Sequence, residues 1–92
     1  MQRIAVALAR ERDARKVYDF LVGILTPQER DQIALRWRIV ELLVAGVPQR
    51  AIAEKLGVSL CKITRGSHEL KGGRPGFRAV VEKAAKQQSK GG

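Results

Sequence analysis

The sequence predicts an all-α protein organised around a helix-turn-helix unit, and three observations carry that expectation. Residues Gln49 to His68 (QRAIAEKLGVSLCKITRGSH) set Ile52, Leu56, Val58, Leu60 and Ile63 at the spacing of two short helices crossing over a tight turn. Leu25-Thr26-Pro27-Gln28-Glu29 has the chemistry of a strong helix start. Phe77, Val80, Val81, Ala84 and Ala85 follow the i, i+3, i+4, i+7, i+8 rule of an amphipathic helix. A chain of 92 residues fits one domain, here 1–86, with a core small enough that association is a natural way to complete it.

Residues 3–24 come first. Ile4 and Leu8 share one face, and Val17, Leu21 and Ile24 form a second apolar stretch. The charged run Arg10 to Lys16 separates them. The segment therefore reads either as one helix with an exposed centre or as two helices joined near Asp13.

The next helix opens on Thr26 as cap, with Pro27 at the first helical position and Glu29 completing a capping box. It runs to about Ala45, where Gly46 and Pro48 end it. Ile33, Leu35, Trp37, Ile39, Val40, Leu42, Leu43 and Val44 cover nearly its whole circumference beyond Trp37, so it should be buried on several sides, with a second copy of the chain as its cover. Trp37 reads as a core residue. Arg36 and Arg38 stand inside this apolar helix; they either reach solvent by their tips or contact an anion.

In the helix pair, Ile52 and Leu56 share a face, Ala53 allows close approach, and Gly57 can take the left-handed conformation that ends a helix. Ser59 offers an N-cap to a second helix whose buried face should carry Leu60 and Ile63. Cys61, Lys62, Thr64 and Arg65 then point outward, a short polar surface suited to a DNA major groove. Ser67 to Gly76 reads as a turn-rich connector, and 87–92 as a disordered basic tail.

Charge supports a phosphate-binding partner. The net charge of +9 is uneven: from Arg50 onward ten Lys or Arg face three Glu, while residues 1–49 hold eight basic against six acidic side chains. A basic half that carries the helix pair is the footprint of nucleic-acid binding. The single cysteine, Cys61, forbids an internal disulfide and fits a reducing compartment. No run is long enough to span a membrane and no signal-peptide pattern opens the chain, so the cytoplasm is the expected location. One His, one Cys and unclustered carboxylates leave no acid–base pair or metal site, which argues against an enzyme. His68 reads as a surface residue and Cys61 as facing DNA or solvent.

The order LTPQER, RWRIVELL, QRAIAEKLGVS and ITRGSHELKGG, from Leu25 to Gly73, resembles the bacterial Trp repressor family. That resemblance implies an intertwined all-helical homodimer that binds a double-stranded DNA operator, with L-tryptophan as corepressor. It implies DNA-reading positions at Gln49, Arg50, Leu60, Cys61 and Thr64, with Arg38 and Lys71 on phosphates. It also implies a ligand pocket in which Arg65 meets the carboxylate, Arg36 stacks on the indole and Gly66 allows close approach. Leu25 and Thr26 of the other subunit would meet the amino group through their carbonyls. Two positions depart from the family pattern, Lys62 replacing a small hydroxyl residue and Glu69 replacing a serine. Lys62 could pair with a ligand carboxylate and Glu69 with its ammonium, or the two could pair with each other and fill the site.

Overall fold

The computed structural model describes residues 1–87 in full and the backbone of 88–91; of the expected tail over 87–92, the backbone of 87–91 is helical, while Gly92 and the side chains of 88–91 lie outside the described residues. Six α-helices follow in order: α1 (Gln2–Arg10), α2 (Ala14–Ile24), α3 (Pro27–Val44), α4 (Gln49–Leu56), α5 (Leu60–Gly72) and α6 (Pro75–Gly91). The described residues contain no strand, and the all-α expectation holds. The chain forms two compact units, Met1–Ala34 and a second from Leu35 onward, with the division inside α3.

In the first unit the charged run breaks the N-terminal segment into two helices. Asp13 caps α2 by accepting from the Arg15 N–H at 2.9 Å. Glu11 turns back on the same corner, accepting from the N–H groups of Arg12 and Asp13 at 3.1 and 3.2 Å. Neither α1 nor α2 buries a residue fully, and Val6, Tyr18, Leu21, Ile24 and Ile33 stay exposed. The capping box at α3 is complete: Glu29 N–H donates to Thr26 Oγ1 at 3.2 Å, and Thr26 N–H donates to Glu29 Oε1 at 2.8 Å. The Thr26 amide and hydroxyl favour the ionised carboxylate and hold Glu29 below the usual glutamate range.

The second unit holds the core. Ile39 and Leu42 of α3 meet Ile52 of α4 and Ile63 of α5, with Leu35, Leu43, Val47, Ala53, Leu56 and Val58 packed around them. Each fully buried isoleucine contributes about 1.5–3 kcal/mol of transfer free energy. α3 ends in a Schellman motif: the Gly46 N–H reaches Leu43 O and the Val47 N–H reaches Leu42 O, each at 3.1 Å, with Gly46 at φ 88°. That reversal lets α4 pack back on the helix it follows.

Within one chain, Ile39, Val40 and Leu42 of α3 are buried, Trp37 is half-buried and Ile33 is exposed, which leaves part of its apolar surface for the cover that the sequence expects from a second copy. The flexible connector is shorter than expected. α5 continues through Ser67 to Gly72, because Ser67 falls one turn beyond Ile63 on the same inward face and is itself buried. Only Gly73 and Arg74 separate it from α6, which opens on Pro75 and adds Val81 to the buried set. Arg78 fastens that corner, donating to Leu70 O at 3.5 Å and pairing with Glu82 at 2.6 Å.

Candidate nucleic-acid interface and ligand groove

The geometry of α4 and α5 follows from two inward isoleucine anchors and one glycine. Ile52 points α4 inward and Ile63 does the same for α5, both with no exposed surface. Gly57 ends α4 in the left-handed region at φ 66° and ψ 36°, and both its N–H and that of Val58 bond to Ala53 O. With those anchors fixed, Arg50, Leu60, Cys61, Lys62 and Arg65 are exposed and Thr64 is half-buried. Two local expectations are corrected. Ser59 occupies the N-cap position of α5, but its hydroxyl makes no capping bond. Leu60 is 44 % exposed rather than on the buried face, since as the first residue of α5 it lies past the end of the surface that Ile63 packs against.

Gln49 and Thr64, fifteen residues apart, meet across the helix pair. Thr64 Oγ1 lies 3.1 Å from Gln49 Oε1 and 3.1 Å from Leu60 O, two acceptors for its single hydroxyl proton. On the same two helices Arg50, Lys55, Lys62, Arg65 and Lys71 face only Glu54 and Glu69, and none of these seven side chains is in an ion pair among the described residues. The surface is therefore positive and unneutralised, the state that suits a polyanion. Arg38 is half-exposed on α3 and lies 3.8 Å from Glu41, a loose contact that a phosphate oxygen could replace.

An open groove of about 510 Å³ runs along α5, lined by Leu60, Cys61, Thr64, Arg65, His68 and Glu69. It brings together Arg65 and Glu69 of the expected ligand site. Lys62 and Arg36 are exposed and do not line it, and Lys62 and Glu69 do not pair with each other. Arg65 and Glu69 are one turn apart, the spacing at which Arg78 and Glu82 form a 2.6 Å pair, yet they remain apart. The Glu69 carboxylate turns toward Gly73 instead, its Oε2 2.5 Å from where a side-chain carbon on Gly73 would stand. Gly66 has a packing role: a Cβ there would meet Ile39 Cγ2 at 3.2 Å and Leu43 Cδ1 at 3.5 Å, so its bareness lets α5 close on α3. Leu25 and Thr26 belong to the first unit. Sequence reasoning left His68 outside the site; its spacing of one turn from Thr64, on the groove side, was the signal available.

Among the described residues no helix is long and apolar enough to cross a membrane, and no group of His, Cys, Asp and Glu could hold a metal ion.

Comparison with known proteins converges on one family. The family model described as Trp repressor protein matches residues 1–85, well beyond the segment whose motifs carry the likeness. The chain is 43% identical over 76 residues to a Trp operon repressor homolog of Pasteurella multocida, covering 82% of this chain and 74% of that protein. It is 48% identical over 68 residues to the homolog of Actinobacillus succinogenes, covering 73% and 67%. A homolog from Chlamydia trachomatis serovar D is 47% identical over 66 residues, covering 71% and 70%. No solved structure gives a significant match.

Proposed function

The chain belongs to the Trp repressor family, a family of DNA-binding regulators rather than enzymes, and from that premise we propose a sequence-specific repressor whose hold on its operator is gated by L-tryptophan. The observation that carries the reading is the α4–α5 pair, anchored inward by Ile52 and Ile63 and presenting an unneutralised basic outer face. Arg50, Leu60, Cys61, Lys62 and Thr64 face the major groove with Gln49 beside them, and Arg38 and Lys71 take phosphates. The repressor works as a cytoplasmic homodimer. The exposed apolar residues Val6, Tyr18, Leu21, Ile24 and Ile33 support a partner copy as their cover.

The corepressor sits against α5, its carboxylate on Arg65 and its ammonium on Glu69, with Gly66 and Arg36 beside the indole and the carbonyls of Leu25 and Thr26 supplied by the second copy. Gating requires only that the ligand bind the DNA-competent state more tightly than the other. A tenfold change in operator affinity corresponds to about 1.4 kcal/mol. One hydrogen bond between an arginine and a carboxylate is worth about 1.5–3 kcal/mol.

The unpaired Glu69 carboxylate in the groove, with Lys62 nearby on α5, supports a second reading in which a different amino acid is the effector. Isothermal calorimetry of the protein against tryptophan and the other common amino acids separates the two. Heat with tryptophan that disappears in Arg65→Ala is the expected result. Heat with another amino acid alone selects the second reading, and no heat with any amino acid removes ligand gating altogether.

A further inference from the structure

We infer that Thr64 acts on DNA through Gln49: its hydroxyl holds the Gln49 amide by Oε1, so that the Nε2 group is delivered as a pair of N–H donors to a DNA phosphate. The inference rests on the DNA-binding reading above and changes the role of one of its residues, from base reader to positioning residue.

The bond at 3.1 Å joins the first residue of α4 to the second turn of α5. Once Oε1 accepts from Thr64, the two N–H groups of Gln49 have no partner within the described chain. They lie at the N-terminus of α4, where the first backbone N–H groups also lack helical partners and favour an anion. A glutamine reads adenine by presenting its oxygen and its nitrogen together, whereas here Oε1 is turned to Thr64 across the helix pair, which leaves the Nε2 group as the part of the amide free to reach DNA. Phosphate oxygens and several base-edge atoms accept from such a group, and the anion-favouring N-terminus of α4 selects the phosphate between them. The Leu60 carbonyl, also 3.1 Å from the Thr64 hydroxyl, competes for its single proton, so the bond to Gln49 forms when that proton turns away from α5's own backbone.

The two residues should therefore behave as one unit, insensitive to sequence. Anisotropy titrations of Gln49→Ala, Thr64→Val, the double variant and Thr64→Ser test this. The probes are a labelled random-sequence duplex and a duplex enriched from a random library by the parent protein. Circular dichroism melting confirms that each variant is folded. Gln49→Ala and Thr64→Val should each weaken both duplexes about tenfold, with the double variant no weaker than either. Thr64→Ser keeps the hydroxyl and should bind like the parent. Because glutamine is neutral, the slope of log K against log salt should stay parallel to the parent's.

Losses that multiply in the double variant would overturn the inference, as would a Thr64→Val loss confined to the enriched duplex, or a Thr64→Ser variant as weak as Thr64→Val. A parent that binds neither duplex would overturn the DNA-binding reading itself, and this inference with it.

Discussion

Ile63 is the residue that fixes α5, and with it the candidate DNA-facing surface, so Ile63→Ala is the most informative perturbation of the fold. The side chain has no exposed surface and packs with Ile39, Leu42 and Ile52. Truncation removes about three buried carbons, worth roughly 2.4 kcal/mol of transfer free energy at about 0.8 kcal/mol each. The cavity left among these side chains raises the loss to about 3–4 kcal/mol, since helices anchored on several sides collapse only in part. Alanine's higher helix propensity returns about 0.4 kcal/mol, leaving a net loss near 3 kcal/mol. Urea unfolding followed by circular dichroism, at one fixed protein concentration because association contributes to stability, reads this directly. Ile63→Val should lose about 1 kcal/mol. The exposed neighbour Lys62→Ala should stay within about 0.5 kcal/mol of the parent. A loss below about 1 kcal/mol for Ile63→Ala, with an unchanged denaturant slope, would refute the placement of Ile63 at the centre of the core.

Four further outcomes follow from the same geometry. Thr26→Ala should destabilise by about 1 kcal/mol in thermal melts, because it opens both bonds of the capping box. Glu29 has a depressed folded-state pKa, so its contribution is present above the ordinary value of about 4.5 and is lost as pH falls through the lower folded value. Melting curves of the parent and Glu29→Gln should accordingly converge in acid, and a gap that widens there would contradict the capping role. Gly57→Ala, at φ 66°, should lower stability by about 1 kcal/mol, whereas Gly23→Ala, inside α2 with nothing within 4 Å, should raise it by about 0.5–1 kcal/mol. Gly66→Ala should be destabilising by about 1–3 kcal/mol in the same melts, since Ile39 and Leu43 already occupy the space a methyl group needs; a neutral change would mean that α5 and α3 part freely.

What was legible in the sequence was local. The capping box from Thr26 to Glu29, the left-handed Gly57 and the inward Ile52 and Ile63 depend on residues a few positions apart, and each was readable from spacing. The N-terminal segment was ambiguous because its two apolar stretches fit either one or two helices; the capping bond of Asp13 decides for two. The length of α5 was underestimated because Ser67, His68 and the glycines that follow look like turn chemistry. Ser67 is inward by register, and its small side chain is what lets that turn be buried. Leu60 looked inward by hydrophobicity, yet a helix's first residue has little opposite it. The Gln49–Thr64 bond and the separation of Arg65 from Glu69 belong to tertiary structure, and no pairwise spacing in the sequence announces either. The pairing of Lys62 with Glu69, an alternative weighed on charge alone, fails because the carboxylate turns to the Gly73 end of the helix.

The most direct test of the account is fluorescence anisotropy of a labelled duplex enriched from a random library by this protein, titrated with the full chain at fixed salt with and without L-tryptophan. The expected result is tight binding that strengthens at least about tenfold with tryptophan, a difference of about 1.4 kcal/mol. Binding that is tight but indifferent to tryptophan would contradict the gating by Arg65 and Glu69. Affinity equal for enriched and random duplexes would contradict a sequence-specific repressor.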